Sequence, residues 1–400
     1  MLVFYFFAGL VLLQSLISLR GGRRYLAYVR REVRAPAPSF TPFASVVVPC
    51  RGVDDGLREN LSALFAQDYP AYELIFVSDS SDDPALEVAR ALAEGVEGGG
   101  GPASRFVVAG RATDSGQKVH NLRAAVREAD ARCEALVFVD TDARPARRWL
   151  RSLVAPIQDA GVGAATGYRW FVPPHLSLAS HLRAVWNASI ASALGEDGTR
   201  NFCWGGSTAV RRETFERLGV AEAWRGAASD DFALTRVLHD AALPIRFVPA
   251  CLTPSLDRCR ARELLEFTTR QLKITRVYAP RLWQIVLYSN LLFTLVFFGG
   301  AGLVAARAAR GLPFAWPLAL LCAIYALGTT KAALRLRAVA LAIPEHRRRV
   351  ASGAWAHLTL WPLTSVLFLY NALAAAASRR IRWRGITYEL KSPSETDIMR

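Results

Sequence analysis

Residues 135–142 read Ala135-Leu-Val-Phe-Val-Asp140-Thr-Asp142, an apolar, largely strand-favouring run that ends in two carboxylates two positions apart. Strand side chains alternate faces, so positions i and i+2 point the same way. With 136–139 as a buried strand, Asp140 and Asp142 would emerge together at its carboxyl end, where open α/β sheets bind ligands. Two hard oxygen donors placed there suit a divalent cation that carries a diphosphate. An isolated Asp-x-Asp is also a common polar turn. The flanking sequence has to decide between the two.

Upstream, Ser45-Val-Val-Val-Pro49 reads as a strand, followed by the loop Cys50-Arg-Gly-Val-Asp-Asp55 and a helix over 57–66. Tyr72-Glu-Leu-Ile-Phe-Val-Ser-Asp79 is a second strand that again terminates in a carboxylate. A helix over 83–92 has Pro84 in its first turn, and a glycine-rich surface loop follows at 95–101. A strand over 105–109 precedes a helix over 116–129 that carries Lys118 and Asn121. Downstream lie a strand over 163–171, the segment Val172-Pro-Pro-His175, and an apolar helix over 176–194 expected on the membrane surface. Next come the Gly205-Gly206 break, a short helix over 214–218 and a helix over 229–239 opening with Asp230-Asp231. A last strand at 245–249 and a basic amphipathic helix over 263–278 complete this part. Strands alternating with helices at this spacing predict an α/β fold with a mostly parallel sheet and right-handed crossovers.

The chain has 400 residues and a formal net charge of +15. Four runs lack a formally charged side chain: 1–19, 282–306, 311–330 and 350–378. Each reaches the roughly 18–20 residues needed to cross a hydrocarbon core of about 30 Å. No small-x-small cleavage site precedes Arg20, so the first run reads as a retained anchor followed by a basic linker over 21–38. The expected division is an anchor at 1–20, a soluble domain at 40–280, about three membrane segments within 281–378 and a basic tail at 379–400. Arginines cluster beside the apolar runs, as juxtamembrane cytoplasmic positions do. No basic face interleaved with aromatics occurs in the soluble part, which argues against a nucleic-acid partner. The six cysteines have no metal-ligand spacing and read as reduced thiols.

The order of motifs is more telling than any one of them. Val-Ser-Asp79, Lys118-x-x-Asn121, Asp140-x-Asp142, Gly205-Gly206-Ser, Asp230-Asp231-x-x-Leu234 and Arg270-x-x-Lys273 are followed by apolar spans. That series resembles the processive-type and lipid-acceptor members of glycosyltransferase family 2. It is most similar to ceramide glucosyltransferase and its bacterial relatives, including hopanoid-associated glycosyltransferases. The ending Trp383-Arg-Gly-Ile-Thr-Tyr388 is similar to the Trp-Arg-Gly-x-x-Tyr of that bacterial group.

The resemblance implies a GT-A domain, a Rossmann-like mixed sheet binding a nucleotide sugar, between an amino-terminal anchor and a carboxyl-terminal membrane bundle. It places Pro49 and the 50–52 loop in a uridine pocket, with Asp79 on the uracil or ribose. Lys118 and Asn121 would steady the nucleotide, and Gly205-Gly206 would border it. Asp142 would ligate Mg²⁺ or Mn²⁺, with Asp140 beside it facing the sugar nucleotide. Asp231 would be the catalytic base and Asp230 its partner. Arg270 and Lys273 would match the cationic Gln/Arg-x-x-Arg-Trp motif. Two departures stand out: Asp230 replaces the usual Glu, and Lys273-Ile274 replaces Arg-Trp. Lysine keeps the charge but loses the bidentate fork.

The expected activity is inverting transfer of one sugar, of glucose or N-acetylglucosamine type, from a UDP-sugar to a lipid hydroxyl such as ceramide, a hopanoid or a diacylglycerol-like lipid. Nucleotide sugars are cytoplasmic, so the catalytic domain of a multi-pass inner-membrane protein would face the cytoplasm. The competing readings are a processive polysaccharide synthase and a catalytically impaired membrane scaffold.

Overall fold

The computed structural model describes residues 1–36, 38–96, 101–173 and 177–399. The glycine-rich stretch and the Pro-Pro-His segment fall largely outside these. The chain divides into two compact units: one of 31–170, 193–257 and 379–400, the other of 1–30, 171–192 and 258–378.

The first unit is built on a seven-stranded sheet. Its strands are β1 (Ala44–Pro49), β2 (Tyr72–Ser78), β3 (Ala103–Val108), β4 (Ala135–Phe138), β5 (Ala164–Phe171), β6 (Thr208–Arg211) and β7 (Ile245–Ser255), ordered β3-β2-β1-β4-β6-β5-β7. The first four in that order pair parallel, and β6 runs antiparallel to both β4 and β5. Strands β1, β2 and β4 are buried almost throughout, as continuous β-branched and aromatic runs require when both faces are covered. Behind β4, Phe138 packs edge-on against Trp224 at 5.4 Å, and both lie in a core with Phe215, Leu234 and Leu238. The parallel α/β expectation is met.

Three local differences have physical reasons. Strand β4 stops at Phe138, although the Val139 amide still donates to Val47 O at 3.1 Å. Asp140 and Asp142 therefore sit on the turn closed by Ala143 N to Asp140 O at 3.1 Å, and it is this turn that brings them together. Strand β7 continues to Ser255 through Pro249 and Pro254 because it is an edge strand, where a missing amide donor costs no ladder bond. The tail folds into an antiparallel sheet of β8 (Arg380–Trp383), β9 (Ile386–Ser392) and β10 (Glu395–Met399). Arg384 and Gly385, at φ 48° and 82°, make the β8–β9 connection, and positive φ at both central positions matches the twist of a two-residue hairpin.

In the second unit, helices Leu2–Val33, Pro280–Ala309 and Ala315–Ala342 are long and apolar enough to span a bilayer. Residues 21–33, expected as linker, continue the first helix. Gly22 is kept there by close packing, since a Cβ would lie 3.1 Å from Lys331 Cγ. The run 350–378 is divided among Arg347–Ser352, Ala354–Thr359 and Trp361–Ala377, the last opening with Pro362 in its first turn. Helix Leu178–Ala191, expected at the membrane surface, is an interior helix of this unit. Trp186 is 1 % exposed and stacks on Phe368 at 4.8 Å, with Phe267 edge-on at 6.0 Å. Its scarcity of charge reflects packing on helices Ala261–Tyr278 and Trp361–Ala377.

Candidate functional site

The carboxyl ends of β1, β2 and β4 carry several of the expected site residues. After β1, Gly52 adopts φ +67° and its amide donates to Asp83 Oδ1 at 3.0 Å. Pro49 ends the strand, and the Cys50 amide donates to Val77 O at 2.7 Å. After β2, Asp79 forms an ion pair with Arg51 at 2.7 Å. After β4, Asp140 accepts from Lys118 Nζ at 2.7 Å, and both oxygens of Asp142 lie 3.1 Å from the Arg169 guanidinium.

Lys118 stands at the start of helix Gln117–Arg127 and also lies 3.3 Å from Asp230 Oδ1. One ammonium thus links the acidic turn after β4 to the acidic start of helix Asp230–Asp240. Burial pushes the Asp140 carboxyl up, but Lys118 and Arg169 outweigh it and hold the group below its ordinary range. Asp230 is pushed up to about 6 by burial, Lys118 opposing and the Asp231 and Asp140 charges adding. The two acids linked by one lysine are therefore shifted in opposite directions.

Asp231 is arranged differently from its neighbour. Its Oδ1 accepts from the Phe232 amide at 2.8 Å and from the Ser229 hydroxyl, while Oδ2 is 3.5 Å from the Gly205 amide. Ser229 is the helix N-cap, so the cap and the first-turn amides orient one carboxylate oxygen and leave the other the weaker contact. Gly205 is required by space: a Cβ there would overlap the Asp230 carboxylate and lie 2.6 Å from Lys118 Nζ. At Gly206 a Cβ would overlap the Trp204 ring. That ring in turn lies under the Arg169 guanidinium at 5.0 Å.

Lys118, Asp140, Asp142, Gly205, Asp230 and Asp231 are therefore one cluster, with Asp79 beside the β1 loop. Asn121 is buried, and its Oδ1 accepts from Gln117 Nε2 at 2.8 Å, so it braces the helix start. Arg270 and Lys273 lie on helix Ala261–Tyr278 in the other unit, with the Arg270 guanidinium 5.7 Å from the Phe267 ring. Sequence reasoning assigned no role to Arg169 and none to Arg384 beyond its place in the Trp383-Arg-Gly-Ile-Thr-Tyr388 ending, whereas Arg51 lies in the 50–52 loop expected at the nucleotide. Arg169 had a readable signal, a lone charge inside the apolar strand β5. Arg384, on the tail hairpin, forms a bidentate pair with Asp54, and its carbonyl accepts from Arg51 Nε at 3.2 Å. Tyr388 from the same tail accepts from the Gln117 amide at 3.2 Å.

Among the described residues no group of three or more His, Cys, Asp or Glu side chains is placed to hold a metal. The donor chemistry of Asp140 and Asp142 nevertheless fits Mg²⁺ or Mn²⁺, which commonly take one or two carboxylates and complete their shell with phosphate and water. The Asp142 side chain is 39 % exposed, so it is accessible to such an ion.

A mostly parallel sheet with an acidic turn at its centre and a second acidic pair on the Asp230–Asp240 helix defines an α/β protein, and its three long apolar helices fit a membrane protein. The chain belongs to glycosyl transferase family 21, whose profile matches residues 8–396. Ceramide glucosyltransferase 3 of Caenorhabditis elegans is 43 % identical over 54 residues, which are 14 % of this chain and 12 % of that protein. Ceramide glucosyltransferase 1 of the same organism is 37 % identical over 68 residues, 17 % and 14 % of the two chains. The match thus spans about one-eighth of the length of these relatives. Among solved structures, a mannosyltransferase from Pyrobaculum calidifontis in complex with GDP-Man and Mn²⁺ is 21 % identical with a TM-score of 0.49, covering 93 % of this chain and 98 % of that one. The glucosyl-3-phosphoglycerate synthase of Mycobacterium tuberculosis with Mn²⁺ and UDP-glucose is 16 % identical with a TM-score of 0.38, covering 59 % and 78 %. The resemblance to ceramide glucosyltransferase expected from the motifs is thereby met, under family 21.

Proposed function

We propose that the chain is a membrane-bound inverting glycosyltransferase that moves a sugar, of glucose or N-acetylglucosamine type, from a UDP-sugar to a lipid hydroxyl such as that of ceramide, a hopanoid or a diacylglycerol-like lipid. The observation that carries this reading is the division of labour in the Asp230-Asp231 pair. Lys118 engages Asp230, whereas Asp231 is oriented by Ser229 and the Phe232 amide and keeps its second oxygen for a further partner. A carboxylate so held can take the proton of an acceptor hydroxyl, a contribution of roughly 10²–10⁴ in rate.

In the proposed reaction the acceptor oxygen bonds to the anomeric carbon while Asp231 takes its proton. The bond from that carbon to the diphosphate oxygen breaks on the opposite face, and the nucleoside diphosphate leaves with the electron pair. One displacement inverts the anomeric centre. Asp140 and Asp142 would hold Mg²⁺ or Mn²⁺, which supplies charge neutralisation for the departing diphosphate. Asp79 after β2 and the 49–52 loop after β1 would hold the nucleoside, at the strand ends where open α/β sheets bind ligands. A catalytic domain facing the cytoplasm of the inner membrane, where nucleotide sugars are made, completes the reading.

The test is incubation of the purified protein with UDP-sugars and a lipid extract, followed by mass spectrometry of the lipids. A new hexosyl- or N-acetylhexosaminyl-lipid is the expected product. Sugar appearing only on a soluble oligosaccharide, or no transfer from any UDP-sugar, would overturn the proposal.

A further inference from the structure

We propose that the helical unit contains a binding site for a phosphate-type anion built around Lys331 and Arg335, and that a phospholipid headgroup occupies it in the membrane. The two cations are four positions apart on helix Ala315–Ala342 and so share one face. Arg335 is only 7 % exposed, and its Nε is buried without a hydrogen-bond partner. Among the described residues neither cation has an ion pair. Lys331 Nζ donates to a neutral group, the Ser18 hydroxyl, at 2.5 Å.

Among the described residues no carboxylate pairs with Lys331 or Arg335. Tyr25, at 4 % exposure, and His357, at 5 %, lie within the field of Arg335. His181, at 4 %, has its Nε2 buried without a partner and its ring against Trp355 at 5.0 Å. Hydroxyl and imidazole groups can donate to an anion, but they cannot neutralise two cations. Uncompensated like charges inside a membrane helix bundle are costly, and ionisable residues retained there mark ligand sites. Burial also separates Arg335 from ordinary snorkelling, in which a long basic side chain carries its head out into water.

Depth and chemistry select the occupant. Arg335 lies twenty residues beyond Ala315, about 30 Å along the helix at ~1.5 Å per residue, and Tyr25 lies about 35 Å beyond Leu2 on the same scale. Both distances reach the end of a hydrocarbon core of about 30 Å, which is headgroup depth. A planar guanidinium with a neighbouring ammonium suits phosphate oxygens, the first as a fork and the second as a point charge. A phosphodiester headgroup at that level meets these requirements without carrying a free ion into the bilayer.

The experiment measures thermal unfolding of the detergent-purified full chain with added dioleoylphosphatidylglycerol, dioleoylglycerol or inorganic phosphate. The unaltered protein should be stabilised by dioleoylphosphatidylglycerol and not by the phosphate-free dioleoylglycerol. The double variant Lys331→Met/Arg335→Met should lose at least tenfold in apparent affinity for dioleoylphosphatidylglycerol, and should be no less stable without lipid because a buried and a half-buried like charge are gone. Arg335→Lys, which keeps the charge and loses the fork, should bind at an intermediate level and serves if the double variant does not fold. Equal stabilisation by dioleoylphosphatidylglycerol and dioleoylglycerol, or undiminished response of Arg335→Lys and the double variant, would overturn the site. Full stabilisation by inorganic phosphate alone would overturn the lipid as occupant.

Discussion

Replacing Lys118 by Met removes the one ammonium that Asp140 and Asp230 share, at 2.7 and 3.3 Å, from a side chain that is 14 % exposed. Arg169 remains, but it is 3.9 Å from Asp140 and is already engaged by Asp142. Breaking a buried pair by removing one partner costs roughly 3–5 kcal/mol. Asp140 is 23 % exposed, which moves the expectation to about 3 kcal/mol through solvent screening. At about 2–4 °C per kcal/mol for a domain of this size, the melting temperature should fall by roughly 6–12 °C in EDTA. Excess Mn²⁺ should narrow the gap, because an ion held by Asp140 and Asp142 restores to the variant a positive charge that the unaltered chain already has in Lys118, and so stabilises the variant more. The assay is thermal unfolding of purified variant and unaltered protein, each in EDTA and in Mn²⁺. A Lys118→Met protein that melts with the unaltered chain in EDTA would refute the linkage of the two acidic sites through this lysine.

Asp231→Asn should lower turnover by two or more orders of magnitude with little change in UDP affinity by calorimetry; a parallel collapse of affinity would make Asp231 a binding residue. Asp142→Ala should abolish metal-dependent turnover, and full activity in the presence of a chelator would remove Asp142 from the metal site. Gly205→Ala should destabilise the first unit and lower activity, since its Cβ overlaps Asp230; unchanged melting and turnover would show that the loop yields freely. Asp230, with a folded value of about 6, holds its proton longer than the unfolded chain does. Its contribution to stability is therefore full below about pH 4 and is lost as pH rises to about 6, at most about 3 kcal/mol. Asp230→Asn should flatten that part of the stability profile, and an unchanged slope between pH 4 and 6 would contradict the shift.

Local chemistry was enough to read the alternation of strands and helices, the apolar spans and the acidic strand ends, because periodicity and composition are properties of a few neighbouring residues. The charged pair Asp140 and Asp142 was legible for that reason, although the turn that joins them begins one residue past a strand shorter than its apolar run. The tertiary structure alone decided which charge meets which. Lys118 reaches two acids from different elements, Arg169 comes from a strand that looks like plain core, and Arg384 arrives from the far end of the chain to pair with Asp54. Helix Leu178–Ala191 shows the same limit in apolar form: a low-charge helix reads alike whether it faces lipid or packs on Phe267 and Phe368. Pairings between residues distant in sequence leave no periodic trace, because they depend on how the elements pack rather than on the order in which they occur.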